Sequence, residues 1–408
     1  HTDTEALRET RRFILSMLFS ERNHFCPFCQ VSGGDCELQN AAYDEGMTHW
    51  PIQPNWKAFP VDTSHPYIIL DNNRCILCRR CVRACEELIG NATLAVESRG
   101  SESLLIADTG VPLGQSSCIS CGTCIQVCPT GALIDKASAY LGHDAQLTRT
   151  DSICVGCSVG CGIQALSRDG VLVRIEGDWE APVNQGVLCE VGRFTALQRN
   201  ETRLESPLIR KQGQLTPVSW DEALDFAATQ LKPFIGKGKD GVAALITTRL
   251  PIEDLYSFED LFRSGFDSDM VTCIEEGFTL LSDDMRKGVP ALPFEGNLED
   301  LKQADGVVVI GANLSDYHQV AGFFIRRLAL NGHPLVVIDP RENPLDDTTP
   351  HVFRSQANKD AEILEELTQS ILEFEKSDAN EHPVRPSGKN GIPIERIQAA
   401  AKDLASLI

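Results

Sequence analysis

The sequence predicts an α/β chain in which small α+β modules built around cysteines precede a larger region of alternating strands and helices. Two observations predict this division. Fifteen of the sixteen cysteines lie between Cys26 and Cys189, most of them two or three residues apart. Beyond them, short apolar β-branched runs alternate with helix-length stretches. At 408 residues the chain exceeds one ordinary core, and the patterning sets boundaries at 1–69, 70–147, 148–204 and 205–408.

Composition narrows the classes of function. A net charge of −21 argues against sequence-independent binding to nucleic acid or to an anionic membrane. The longest apolar runs, such as GVVVIGA, are too short to span a bilayer. No secretory signal is present, and C-x2-C spacing in a large chain favours metal over disulfides, hence a reducing compartment. A cytoplasmic location is expected, with any attachment to the cytoplasmic membrane face made through partners. The sequence opens on His1 rather than Met, which leaves room for processing or for further chain ahead of it.

In chain order, Thr2 and Glu5 form a T-x-x-E capping box for an opening helix. The stretch NHFCPFCQVSGGDCELQ then supplies Cys26, Cys29 and Cys36, with His24 beside them as candidate fourth ligand, against a water or another residue. CILCRRCVRAC and CISCGTCIQVCPTGA follow with one shared spacing, C-x2-C-x2-C-x3-C, which is that of two-cluster bacterial ferredoxins. Three thiolates on one tight turn reach three corners of a [4Fe–4S] cube, and the fourth corner faces away. By that crossing rule Cys75, Cys78, Cys81 and Cys128 hold one cluster, and Cys118, Cys121, Cys124 and Cys85 hold another. Pro129 suits the exit from the second turn. Zinc is the alternative, although its sites usually show two separated C-x2-C pairs.

CVGCSVGC brings Cys154, Cys157 and Cys161, with a distant Cys189 as the fourth thiol, and Gly156, Gly160 and Gly162 give the backbone room to approach a cluster. Zinc, or a structural Cys189, is the alternative here. Fifteen cysteines and one histidine make sixteen ligands, enough for four [4Fe–4S] clusters, and only Cys273 is left over. Further on, GVAALITT, GVVVIGAN and PLVVIDP read as buried parallel strands. Ser219 and Glu222 open one helix as a capping box. Ser315 or Asp316 caps another that Gly332 closes, and IPIERIQAAAKDLASLI forms a last one. Gly311 without a G-x-G-x-x-G points to a Rossmann-like fold without nucleotide rather than to a nucleotide site.

LFSERNHFCPFCQVSGGDCELQ, RCILCRRCVRAC and CISCGTCIQVCPTGAL resemble the iron–sulfur subunits of NADH-linked complexes, namely the large iron–sulfur subunit of complex I and the diaphorase subunit of NAD-reducing hydrogenases. Many members place three residues between the histidine and the first cysteine, whereas only Phe25 separates His24 from Cys26, as in the hydrogenase-type form. Residues 148–408, through SPLIRKQGQLTPVSWDEAL, ADGVVVIGANLSDYH and LVVIDPRENP, resemble the start of the molybdopterin oxidoreductases.

The resemblance implies a His/Cys cluster domain, a two-cluster ferredoxin domain, and a truncated molybdopterin-oxidoreductase-like α/β domain. It implies electron transfer in a multi-subunit NAD(P)H-linked oxidoreductase, with no active site of its own. The partners implied are a flavin/NAD(H)-binding subunit, a [2Fe–2S] subunit or N-terminal domain, and a terminal hydrogenase, quinone-reducing or formate-oxidising subunit. Val191 stands where pterin enzymes carry a relay lysine, and Phe278 where their catalytic Cys or Sec falls. Cys273 comes early and no histidine follows it, so no molybdopterin is expected. A molybdenum or tungsten NAD-dependent formate dehydrogenase is the alternative.

Overall fold

A computed structural model describes residues 2–195, 204–237, 241–273, 298–356, 359–376 and 392–407. The chain divides into two compact units, His1–Cys154 with Val159–Leu197 and Glu295–Ile408, and Val155–Ser158 with Gln198–Phe294. It is mixed α/β. Among the described residues no helix is long and apolar enough to cross a membrane.

The first unit opens with the helix Glu5–Glu21, whose cap is Thr4 rather than the expected Thr2: the Thr4 hydroxyl accepts from Leu7 N at 3.4 Å. Glu5 already lies inside the first turn, so the Thr2 box has no helix end to close. Phe19 on this helix is buried with Cys36, Leu38 and Ala42, and its ring stacks on Trp50 at 5.2 Å. Next, Val61–Asp62, Ile68–Asp71 and Leu133–Asp135 form an antiparallel sheet, and Leu94–Glu97 pairs with Leu104–Ala107. Two short helices, Arg80–Arg83 and Thr123–Gln126, pack between these sheets and the cysteine loops. A three-stranded antiparallel meander follows, Thr148–Ile153, Gly162–Arg168 and Val171–Gly177. Its second turn runs through Asp169 and Gly170, both at positive φ, as a two-residue hairpin of right-handed strands needs.

The rest of this unit is a parallel sheet of Val307–Ile310, Leu335–Ile338 and His351–Phe353. Strand alternation decides its two faces. Leu335 and Val337 pack with Val309, Ile325 and Leu345, while Val336 and Ile338 pack with Phe353, Ile363, Leu367 and Ile397. The helix Gln319–Leu330 covers the first face, and the helices Asp360–Lys376 and Ile394–Ala405 cover the second. The helix expected from Ser315 or Asp316 is broken. A single turn, Leu314–Tyr317, ends at His318, whose φ of −137° is not helical, and the main helix starts afresh at Gln319. Its exit holds as expected, with Gly332 at φ +90°.

The second unit contains the hairpin Leu208–Lys211 and Gln214–Pro217, the helix Trp220–Leu231, and the parallel pair Ala244–Ile246 and Val271–Cys273. The three runs expected as parallel strands therefore fall in two sheets. Ser219 caps its helix through Glu222 N at 3.3 Å, but the Glu222 carboxylate pairs with Lys211 at 2.5 Å instead of closing the box. Phe278 lies outside the described residues.

Ile397 is fully buried between the sheet and the helix Asp360–Lys376. Ile397→Ala should cost about 2–5 kcal/mol, read as a lowered urea midpoint. Leu330→Ala, at a position 57% exposed, should change stability by less than about 0.5 kcal/mol.

Candidate metal centres

Three cavities in the first unit are walled by the cysteine motifs. The first is lined by His24, Cys26, Cys29 and Cys36, with Phe19, Leu38, Arg74 and Gly131. The second is lined by Cys75, Cys78, Cys81 and Cys128 with Val82, Leu105 and Leu133. The third is lined by Cys85, Cys118, Cys121 and Cys124 with Ile89, Leu94 and Leu113. Each of the latter two thus takes three thiols from one motif and the last thiol of the other. Thr130 borders the first and second cavities, so they adjoin.

Local backbone geometry aims the thiols. In the two matching loops the residues at equivalent positions, Leu77 and Ser120, then Arg79 and Gly122, all have positive φ. Alternating hands in this way turns successive N–H groups to one side, the geometry of an anion nest. Leu77 N accordingly donates to Cys75 Sγ at 3.3 Å. A leucine at φ +54° is strained, and the strain is held at the site where the loop must curl. Ser120 is fixed from behind by His65, which accepts at Nδ1 from Tyr67 N and Ile68 N and so presents Nε2–H to the Ser120 hydroxyl at 3.3 Å.

The residues fit iron–sulfur clusters on several counts. The His24 ring is buried, and its Nε2 meets no hydrogen-bond partner among the described residues, in a cavity shared with three thiols. Burial, with Arg74 and Arg22 nearby, holds its pKa down to about 4, so the imidazole is neutral and keeps the lone pair a ligand needs. A Cβ at Gly131 would stand 3.1 Å from Cys29 Sγ, so this glycine gives the thiol its space. Burial also pushes two of the thiols well up, Cys81 to about 12 with help from Cys128 and Cys75, and Cys118 to about 11. Such thiols stay protonated at neutral pH until a metal takes the proton's place. Among the described residues no three His, Cys, Asp or Glu side chains form a group that could hold a single metal ion. The cysteines from Cys26 to Cys128 are free thiols.

At the fourth motif, Cys154 N donates to the Cys161 carbonyl at 2.8 Å, and a Cβ at Gly192 would lie 3.4 Å from Cys154 Sγ and 3.9 Å from Cys189 Sγ. These three cysteines share one neighbourhood, while Cys157 belongs to the second unit. Gly162 serves a different contact from the one expected: its Cβ would meet Ala181 Cβ at 2.4 Å, not a sulfur. Gly160 stands at φ +66°, where the chain reverses. Cys273 sits on the strand Val271–Cys273, and Val191 is exposed in the turn after Cys189. Sequence reasoning passed over Arg22, Arg74 and Gly131. The CPTGA stretch was a usable signal for Gly131, but the arginines carry none.

Family models match in order along the chain: the NADH-ubiquinone oxidoreductase-G iron-sulfur binding region at residues 11–50, the NADH-quinone oxidoreductase subunit 3 ferredoxin-like domain at 65–134, the molybdopterin oxidoreductase Fe4S4 domain at 147–200, and molybdopterin oxidoreductase at 203–381. A G-type subunit of NADH-quinone oxidoreductase from Rhizobium meliloti is 34% identical over 91% of this chain and 43% of its own length. The NADPH-Fe(3+) oxidoreductase subunit alpha of Geobacter sulfurreducens is 29% identical over 91% and 44%. A Staphylococcus aureus protein whose name marks its formate dehydrogenase assignment as provisional is 25% identical over 93% and 43%. The chain therefore spans less than half the length of these relatives. A chain of the solved NAD+-reducing [NiFe]-hydrogenase in its H2-reduced state shares 41% identity over 34% of this chain and 59% of that one, with a TM-score of 0.32. In the order of the matched regions and the span of the similarity, the chain is similar to G-type iron–sulfur subunits of NADH-quinone oxidoreductase, with Fe4S4 modules ahead of a molybdopterin oxidoreductase region.

Proposed function

We propose that this chain carries electrons through four [4Fe–4S] clusters in a multi-subunit NAD(P)H-linked oxidoreductase, between a flavin/NAD(H)-binding partner and a terminal redox partner such as a hydrogenase or quinone-reducing module. The observation that carries the reading is the set of three cavities, each walled by four of the sixteen expected ligands. On this reading His24, Cys26, Cys29 and Cys36 hold the first cluster, and Cys75, Cys78, Cys81 and Cys128 the second. Cys85, Cys118, Cys121 and Cys124 hold the third, and Cys154, Cys157, Cys161 and Cys189 the fourth. The modules that carry them are residues 1–69, 70–147 and 148–204, and residues 205–408 act as scaffold.

When bound, such clusters exchange single electrons, at potentials set by net charge, hydrogen bonds to sulfur and exposure. The chain's own part is to hold, to dry and to tune. N–H groups of Thr130, Leu133 and Ala132 bear on the Cys128 thiol, and those of Leu94 and Thr93 on Cys85. Phe323 and Phe324, on the helix Gln319–Leu330, pack with Ile89, Cys121 and Cys161 and keep water from that neighbourhood. The molybdopterin region takes the role of cover rather than of active site.

A second reading, a molybdenum or tungsten enzyme, draws on the molybdopterin oxidoreductase match over 203–381. Metal analysis separates the two. The first reading expects about sixteen irons per chain, four per cluster, without zinc, molybdenum or tungsten. One molybdenum or tungsten per chain would establish the second.

Cys85→Ser should alter the spectrum of the cluster bound by Cys118, Cys121 and Cys124 and spare the one bound by Cys75, Cys78 and Cys81. Loss confined to the latter would refute the ligand assignment. Histidine ligation raises cluster potentials where it replaces cysteine. His24→Cys should therefore retain the iron and lower one midpoint, measured by potentiometric electron paramagnetic resonance.

A further inference from the structure

Arg193 lies in the turn after Cys189 and is 4% exposed. Its backbone N–H donates to the Cys189 carbonyl at 3.1 Å, and its Nε donates to the Cys121 carbonyl at 2.8 Å. One residue thus joins a wall of the third cavity to the fourth motif. Its other donors reach Gln126 Oε1 at 2.8 Å and the Ile175 carbonyl at 3.4 Å. Gln126 is itself fixed, exchanging bonds of 3.0 and 2.7 Å with the backbone of Gly177. The facing loop makes room for this side chain and its neighbour: a Cβ at Gly122 would fall 2.2 Å from Arg193 Cδ and 2.9 Å from Phe194 Cζ.

Among the described residues every acceptor bonded to the guanidinium is a neutral carbonyl or amide. The acidic groups that act on it are Cys121, Glu176, Cys124 and Asp135. Glu176 is already paired with Arg174 at 2.8 Å and Arg149 at 3.1 Å. Asp135 takes the Ala137 N–H at 2.9 Å, and its own burial disfavours the carboxylate form. Arginine does not deprotonate, and a buried cation without a counter-charge is costly. Among the described residues that leaves Cys121 and Cys124 to balance it, whose thiolates would make the cluster of the third cavity anionic.

We infer that Arg193 is a charge beside the third cavity that also ties it to the fourth motif: its guanidinium raises the reduction potential at the third cavity, and its backbone bond to Cys189 holds the fourth motif against that wall. The inference rests on the cluster reading above. It adds no reactant, since one electron leaves one site as it enters the other. At short range and low dielectric, removing a unit charge should change a reduction equilibrium at least tenfold, which is 59 mV for one electron.

The test is potentiometric electron paramagnetic resonance on the full chain as purified with its partners, with iron counted for each variant. Arg193→Gln should keep its iron and move one midpoint, that of the third cavity, to lower potential by at least 59 mV, while Arg193→Lys, which keeps the charge, should stay near wild type. Full iron with unmoved midpoints in Arg193→Gln overturns the inference. If Arg193→Gln fails to load iron, Arg193→Lys decides: wild-type midpoints support the charge, and loss of iron there too assigns Arg193 a packing role and overturns it. A wild-type preparation without iron would instead remove the cluster reading, a separate failure.

Discussion

The constraint on which the architecture depends is the reach of a short loop. A C-x2-C-x2-C turn curls its three thiols round one space and carries its last cysteine out on a helical turn, pointing elsewhere. Cys85 leaves on the π-helical turn Ala84–Leu88 and borders the cavity of the other motif, while Cys128 leaves after Thr123–Gln126 and borders the first motif's cavity. Neither cavity can be completed without the other half of the module. That interdependence ties the two loops, the two short helices and the Ile68–Asp71 strand into one core.

The same logic extends outward. The first cavity borrows Thr130 and Gly131 from beyond Cys128, and Glu37 N, next to Cys36, donates to the Pro129 carbonyl at 2.9 Å. On the opposite side the ring of Tyr67 stacks on Phe194 at 4.4 Å, and its hydroxyl donates to Glu190 beside Cys189 at 2.7 Å. Buried arginines mark these junctions. Arg22 donates to the Asn72 carbonyl at 3.0 Å and lies over the Phe59 ring, near His24 and Cys75, as Arg193 does between Cys121 and Cys189. On the proposed reading these thiol-lined cavities take anionic clusters, and buried cations between them meet an electrostatic need that surface charge, screened by water, could not meet.

The α/β part packs over some of these cysteines. Phe324 is 1% exposed against Ile89 and Val187, and Arg326 from the same helix donates to Asn91 at 3.0 Å. A region matched to molybdopterin oxidoreductases thus contributes, within the first unit, a dry lid over cysteines. Low dielectric there strengthens every hydrogen bond to sulfur and every nearby charge.

Spacing alone made the grouping of Cys75 to Cys128 legible, because a fixed C-x2-C-x2-C interval leaves the backbone few ways to curl. Strand-length apolar runs announced Val307–Ile310 and Leu335–Ile338 for a similar local reason. The helix start at Gln319, the cap at Thr4 and the true neighbour of Gly162 were not legible, since several nearby residues satisfied the same local rule and packing chose among them. The place of Arg193 beside Cys121, 72 residues away, had no local signal at all. Sequence by itself determined which atoms could bind metal, through chemistry carried by each residue and its interval. Tertiary structure decided which of them face one another and what charge stands between, because those relations arise only when distant segments exclude water together.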